Sequence, residues 1–155
     1  MDMGLSGKVA VITGASDGIG KAAAMSMAQE GVKVVICARR ADNLAKAAEE
    51  IQAATGNEVM TVTADITSQS DIDALFEKVV EVHGRVDILV NNAGAIHMSH
   101  RKSVDGIEMT FALNHLSYFL LTNLLLDVLV ASSPSRVVNV ASSVHQKAKI
   151  DLFDV

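Results

Sequence analysis

The stretch Thr13-Gly14-Ala15-Ser16-Asp17-Gly18-Ile19-Gly20 follows a β-branched apolar run, KVAVIT at residues 8–13, and leads into an alanine-rich helical pattern over Gly18–Gln29. A strand, a glycine-rich turn and a helix in that order open a βαβ unit. Glycines 14, 18 and 20 let the backbone turn tightly and come close to a diphosphate, whose charge is met by free N–H groups at the helix N-terminus. Gly14, Ser16, Gly18, Ile19 and Gly20 are therefore candidate cofactor-binding residues. The spacing is GxxxGxG rather than GxGxxG, and a glycine cluster after a strand also fits a plain turn.

Working outward, the alternation continues. Residues 33–38 (KVVICA), 58–64 (EVMTVTA), 86–90 (VDILV) and 136–141 (RVVNVA) read as further strands. Between them lie helical patterns over 42–54, closed by Gly56, and from Ser68 or Ser70 to Gly84, with Ile72, Leu75, Phe76 and Val79 at helical spacing. Residues 106–130 read mainly as one long helix. Strands this uniformly apolar, joined by helical crossovers, imply a parallel sheet covered on both faces. The pattern predicts an α/β, doubly wound, Rossmann-like fold of about five strands. With no linker, low-complexity tract or short-period repeat, residues 1–155 read as a single NAD(P)-binding domain.

Composition sets the outer bounds. A chain of 155 residues, half of them apolar, is enough for one domain with a sizeable core. Thirteen basic against eighteen acidic residues give a net charge of −5, so neither nucleic acid nor an anionic membrane surface is expected as a general partner. The single Cys37 cannot form an internal disulfide and reads as a small buried hydrophobe. The N-terminus lacks a basic stretch followed by an apolar core, and the expected location is the cytoplasm. Residues 111–131 are long enough to span a bilayer. Asn114, His115, Ser117, Thr122, Asn123 and Asp127 interrupt them, which favours a soluble helix buried on more than one face over a membrane span. His97 and His100 share a loop, but no acid or Cys stands at ligand spacing, and no metal is expected.

About twenty residues beyond the second glycine, NAD-binding folds place an acid on the adenosine ribose 2′-hydroxyl. Here that place is Ala38, followed by Arg39 and Arg40. No carboxylate would repel a 2′-phosphate, and the Arg39 guanidinium can pair with it, so NADP is favoured over NAD. The alternative is two solvated arginines at a strand end.

Asp65–Ile66 after the third strand and NNAG, Asn91 to Gly94, after the fourth complete a pattern that resembles the short-chain dehydrogenase/reductase family over essentially the whole chain. The segments DGIEMTFALNHLSYFLLTNLLL, SRVVNVASS and KIDLFDV look like its retinol-dehydrogenase-like branch, whose substrates are lipophilic alcohols and carbonyls. The resemblance implies that Asp65 hydrogen-bonds the adenine amino group with Ile66 packed beside it, and that Asn91, Ala93 and Gly94 line the cofactor ribose and hold the central sheet. Asp65 could instead cap the turn before Ser68, and Asn91 and Asn92 could simply satisfy buried backbone. Asn114 would help hold a water of the proton relay; a helix kink or an interhelical hydrogen bond is the bland reading. Ser142, matched through NVAS, is the candidate catalytic serine that orients the substrate oxygen, with Ser143 as the other choice.

One part of the pattern breaks. The family's YxxxK motif stands downstream of the serine, yet the only tyrosine, Tyr118, precedes Ser142 and has Thr122 four residues on. The expectation is the cofactor-binding portion of an NADP-dependent alcohol/carbonyl oxidoreductase, truncated at its C-terminus and without turnover of its own. The alternative is a non-catalytic NADP-binding or partner-binding module. A fifth strand at an uncovered sheet edge, beside an apolar helix that is a natural dimer surface in the family, suggests a homo-oligomer.

Overall fold

The computed structural model describes residues 3–143 and residue 146; the run KIDLFDV at 149–155 lies outside them. Strands β1 (Val9–Thr13), β2 (Lys33–Ala38), β3 (Val59–Thr63), β4 (Ile88–Asn91) and β5 (Arg136–Asn139) form one sheet in the order β3-β2-β1-β4-β5. Every pairing is parallel. The chain turns back between β3 and β4 to the other side of β1, which leaves a crevice at the carboxyl ends of β1 and β4, the place where such folds bind ligands. The expected doubly wound α/β fold is the observed one.

Strand alternation divides the core in two. Ala10, Ile12, Val34, Ile36, Ile88 and Val90 face helices α1 (Gly18–Gln29) and α2 (Ala41–Thr55), packing on Ala24, Ala28, Leu44, Ala47 and Ile51. Val11, Val35, Cys37, Val62 and Leu89 point the other way, onto Ile72, Leu75 and Val79 of α3 (Gln69–His83) and onto Leu121, Leu125 and Leu129. Strands β1, β2 and β4 thus bury both faces, the reason their sequences are apolar throughout rather than alternating, while β5 at the sheet edge is exposed along its length. Gly56 and Gly84, both left-handed, end α2 and α3 as the sequence suggested. Ser68 caps α3 by accepting from the Asp71 N–H.

The expected long helix over 106–130 is broken. Helix α4 (Met109–Phe111) starts three residues later, where Glu108 accepts from the Thr110 and Phe111 N–H groups at 2.9 and 2.8 Å. A π-helical turn over Ala112–Leu116 follows, then α5 (Ser117–Leu124) and α6 (Leu126–Ala131). The Ser117 N–H reaches back five residues to the Ala112 carbonyl, and the Ser117 hydroxyl donates to the Leu113 carbonyl at 2.5 Å. The buried stripe is Ala112, Ser117, Leu121, Leu125, Leu129: one step of five, then steps of four. Burial on more than one face is therefore corrected to burial of a single stripe, with Phe119, Leu126 and Val130 exposed. No helix among the described residues is long and apolar enough to cross a membrane.

At the amino ends of the strands, Asp87 is buried and ties β1 to β4. Its carboxylate accepts from the Val9 N–H at 2.9 Å, from Arg85 at 2.9 and 2.5 Å, and from Lys8 at 3.4 Å.

Candidate functional site

A cleft of about 850 Å³ opens over the carboxyl ends of the strands, and Gly14, Ser16, Gly18, Ile19, Arg39, Asp65, Ile66, Ala93 and Gly94 all line it. Two of the expected cofactor residues do not. Gly20 is buried beneath the turn, and Asn91 is fully buried, donating through Nδ2 to Thr122 Oγ1 at 3.1 Å and Asn139 Oδ1 at 2.9 Å.

The three glycines divide the work. Gly14 has φ +63°, and a Cβ there would stand 2.7 Å from the Ala93 Cα, so it serves the contact between the turn and the NNAG segment. A Cβ on Gly20 would collide with the Asn92 amide nitrogen. Gly18, with φ +56°, also lines the cleft, and a Cβ there would meet nothing within 4 Å. Room for an approaching phosphate therefore lies at Gly18, whereas Gly14 and Gly20 make room for the protein's own chain.

Thr13 is the node that holds the turn to NNAG. Its buried hydroxyl accepts from the Asn92 and Ala93 N–H groups at 2.9 and 3.0 Å, while Asn92 Nδ2 donates to the Thr13 and Gly14 carbonyls at 2.9 and 3.1 Å. Asn92 thus does what its bland reading held, satisfying backbone. Asp65 also acts locally: Oδ1 accepts from the Thr67 N–H and hydroxyl at 2.9 and 2.7 Å, which fixes the turn after β3.

The charges in the cleft are uneven. Arg39 and Arg40 are exposed at the end of β2 and form no ion pair with any described residue. Asp17 caps α1, its Oδ1 accepting from the Gly18 N–H at 2.8 Å, and it lines the same cleft. A carboxylate therefore stands where an anion would approach the helix, and the N–H of the cleft-lining Ile19, which has no intrahelical acceptor, remains to meet it. Cys37 lies at the cleft wall but is buried, and burial pushes its thiol up to about 12, against a smaller opposing influence of the Gly14 N–H. It is a packing residue, as its sequence context suggested.

A second cleft of about 1250 Å³ adjoins the first, sharing Ile19, Asn92, Gly94, Ala95 and Val140. Ser142 and Ser143 line it, and so do Asn114 and Tyr118. Asn114 spends both amide atoms on one backbone unit: Nδ2 donates to the Ala95 carbonyl at 2.8 Å and Oδ1 accepts from the Ala95 N–H at 3.0 Å. Tyr118 is half-buried, and burial pushes its phenol above the ordinary value. Among the described residues no lysine lines this cleft. Nor does any group of three or more His, Cys, Asp or Glu suited to a metal occur among them.

The profile of the short chain dehydrogenase family matches residues 8–152. The chain belongs to that family. It is 41% identical to human retinol dehydrogenase 13 over 152 residues, which cover 97% of this chain and 46% of that protein. It spans about half the length of the curated relatives it matches. Its fold is similar to that of Gluconobacter frateurii L-sorbose reductase in complex with NADPH and L-sorbose, with a TM-score of 0.73 and 38% identity over 84% of this chain and 51% of that one. It is also similar to Pseudomonas aeruginosa RhlG in an NADP active-site complex, with a TM-score of 0.77 and 36% identity over 89% and 56% of the two chains. The expected family and its retinol-dehydrogenase-like character are thus borne out.

Sequence reasoning missed Thr13, Asp17 and Asp87. An acid just ahead of the helix is an N-cap signal in its own right, so Asp17 was open to discovery. Thr13 was not, because its partners lie 77 to 80 residues away.

Proposed function

We propose that this chain binds NADP in the first cleft and forms the cofactor-holding part of an oxidoreductase that interconverts a lipophilic alcohol and its carbonyl compound. The carrying observation is Arg39, set at the end of β2 on the cleft wall with no ion pair to a described residue, next to Ala38 where an NAD-selective fold carries an acid. The NADP and NADPH complexes of the two structural neighbours support the same cofactor.

In this reading Arg39 pairs with the 2′-phosphate, while the Ile19 N–H meets the diphosphate beside Gly18. Asp65 and Ile66 border the adenine. When bound, NADPH supplies the hydride. Ser142, on the adjoining cleft, orients the substrate oxygen, and Asn114 fixes the Ala95 backbone between the two clefts. No residue of this chain is assigned the proton donor, because no tyrosine follows Ser142. The exposed apolar side chains Ile96 and Phe119 on the second cleft suit a lipophilic substrate.

A second reading, an NADP-binding module without turnover, is favoured by the raised phenol of Tyr118 and by the lack of a lysine among the described residues that line the second cleft. Fluorescence titration with NADPH tests what both readings share. Saturable binding is expected, and no binding up to millimolar NADPH would overturn both. Assay of alcohol oxidation by the chain is expected to give essentially no turnover; robust turnover would show that a proton donor has been overlooked.

A further inference from the structure

Aspartate followed by glycine occurs twice in the chain, at Asp17–Gly18 and at Asp105–Gly106. The pairing matters chemically. A backbone nitrogen whose own residue has no Cβ is open to close approach by the carboxyl carbon of the preceding side chain, and the two can close a five-membered ring. All four residues are exposed, and both glycines have positive φ, +56° and +81°. Dipeptide and exposure are therefore alike at the two places, and what surrounds the reacting nitrogen separates them.

At Asp105–Gly106 the nitrogen is engaged. The Gly106 N–H donates to the Ser103 carbonyl at 3.0 Å, and the Asp105 N–H donates to Ser103 Oγ at 3.2 Å. Ring closure there would break the first of these bonds and disturb the second. At Asp17–Gly18 the Gly18 N–H stands in the first turn of α1 and has no intrahelical acceptor. It meets the Asp17 carboxylate itself, with Oδ1 2.8 Å from the nitrogen. A Cβ on Gly18 would meet nothing within 4 Å, so the turn has room for the carboxyl carbon to swing onto the nitrogen. Asp17 and Gly18 both line the first cleft, where water, the second reactant, has access.

We propose that Asp17–Gly18 is a site of spontaneous covalent modification, isomerising to isoaspartate while the first cleft is empty. The Gly18 nitrogen bonds to Asp17 Cγ, and one carboxyl oxygen leaves as water with the carboxyl and amide protons. A second water opens the succinimide. Attack at the carbonyl on the Cα side leaves Gly18 joined to Cγ and a free carboxylate on Cα, with the mass of the chain restored and no oxidant consumed. The product carries one more carbon in its backbone at the head of α1. It displaces the carboxylate that caps the helix and the Asp17 carbonyl that accepts from the Lys21 N–H at 3.3 Å. Protection by a dinucleotide rests on the cofactor reading above, in which a diphosphate lies beside Gly18; the ring closure does not.

Ageing of the folded chain at neutral pH and physiological temperature tests the proposal, with isoaspartate located by electron-transfer fragmentation of its peptides. Conversion at Asp17 is expected to outpace conversion at Asp105 by about fivefold or more, because only at Asp17 does the fold hold the reacting groups together. In urea, where both dipeptides are unfolded, the two rates are expected to converge. Asp17→Asn forms the same ring with loss of ammonia and is expected to convert faster than the native chain, whereas Asp17→Glu, which would need a six-membered ring, is expected to show no conversion at that position. Saturating NADPH is expected to slow conversion at Asp17 several-fold and to leave Asp105 unchanged. Equal or faster conversion at Asp105 in the folded chain would overturn the proposal. So would the absence of isoaspartate at position 17 in both the native chain and Asp17→Asn, or a difference between the two sites that persists in urea. Conversion at Asp17 as described in a chain that fails to bind NADPH would uphold the modification and overturn the cofactor reading.

Discussion

Asn114, inside the π-helical turn, grips the Ala95 backbone unit with both of its amide atoms, at 2.8 and 3.0 Å. One helix turn and the loop that follows β4 thereby become a single rigid wall between two clefts. A Cβ on Gly94 would stand 2.7 Å from Asn114 Oδ1, so the same contact demands glycine there. Asn114→Leu leaves an N–H and a C=O without partners, at a cost of about 1–3 kcal/mol each where they are buried. As this site is half-buried, a loss of about 2 kcal/mol in urea unfolding is expected, with weaker NADPH binding. Native stability in this variant would contradict the role.

The glycines of the turn separate by substitution. Gly14→Ala combines a positive φ with a 2.7 Å approach to Ala93, and about 3 kcal/mol of destabilisation is expected from strain and overpacking together. Gly18→Ala meets no atom and carries the left-handed strain alone, about 1–2 kcal/mol. Thermal melts of the two variants provide the check, and equal effects would contradict the division of roles.

Asp87 gives the fold an acid limit. Burial is the largest influence on its carboxyl and disfavours the charge, but the hydrogen bonds from Arg85, the Val9 N–H and Lys8 together outweigh burial and hold it below the usual carboxylate range. A carboxyl lowered on folding stabilises above its unfolded value near 4, and that stability is lost as pH falls toward the folded value. Stability is thus expected to decline below about pH 4. Asp87→Asn should cost about 2 kcal/mol at neutral pH, less than a fully buried pair because Arg85 and Lys8 keep contact with water, and should shallow the acid limb. An unchanged acid limb in the variant would assign that limb to other groups.

Asp17 opposes the anion that the turn is read to bind. Asp17→Asn keeps an oxygen to cap the Gly18 N–H and removes the charge. NADPH affinity is expected to rise about two- to fivefold at low ionic strength, with a smaller gain in high salt. Weaker binding by this variant would mean that the diphosphate does not approach α1.

Much of the fold could be read in the sequence because parallel strands buried on both faces are uniformly apolar, and because Gly56 and Gly84 mark helix ends. The long helix was misread for a local reason: a π turn changes the spacing of the buried stripe only once, from Ala112 to Ser117, and hydropathy does not register it. The cleft residues were legible where the motif itself touches solvent, as at Gly18 and Arg39. They were not where a long-range bond decides the role, as for Thr13 with Asn92 or Asp87 with Val9. Asn91 keeps the half of its expected role that holds the central sheet, its side chain joining β4 to β5 and α5, and does not line the cleft.

The 2′-phosphate assignment is the centre of the functional reading, and a comparison of NADPH and NADH affinities in the native chain and in Arg39→Glu tests it most directly. NADPH binding is expected to weaken by about tenfold or more, because a bidentate cation is replaced by a repelling carboxylate, while NADH binding changes by less than about threefold. An equal loss for both cofactors would contradict the assignment.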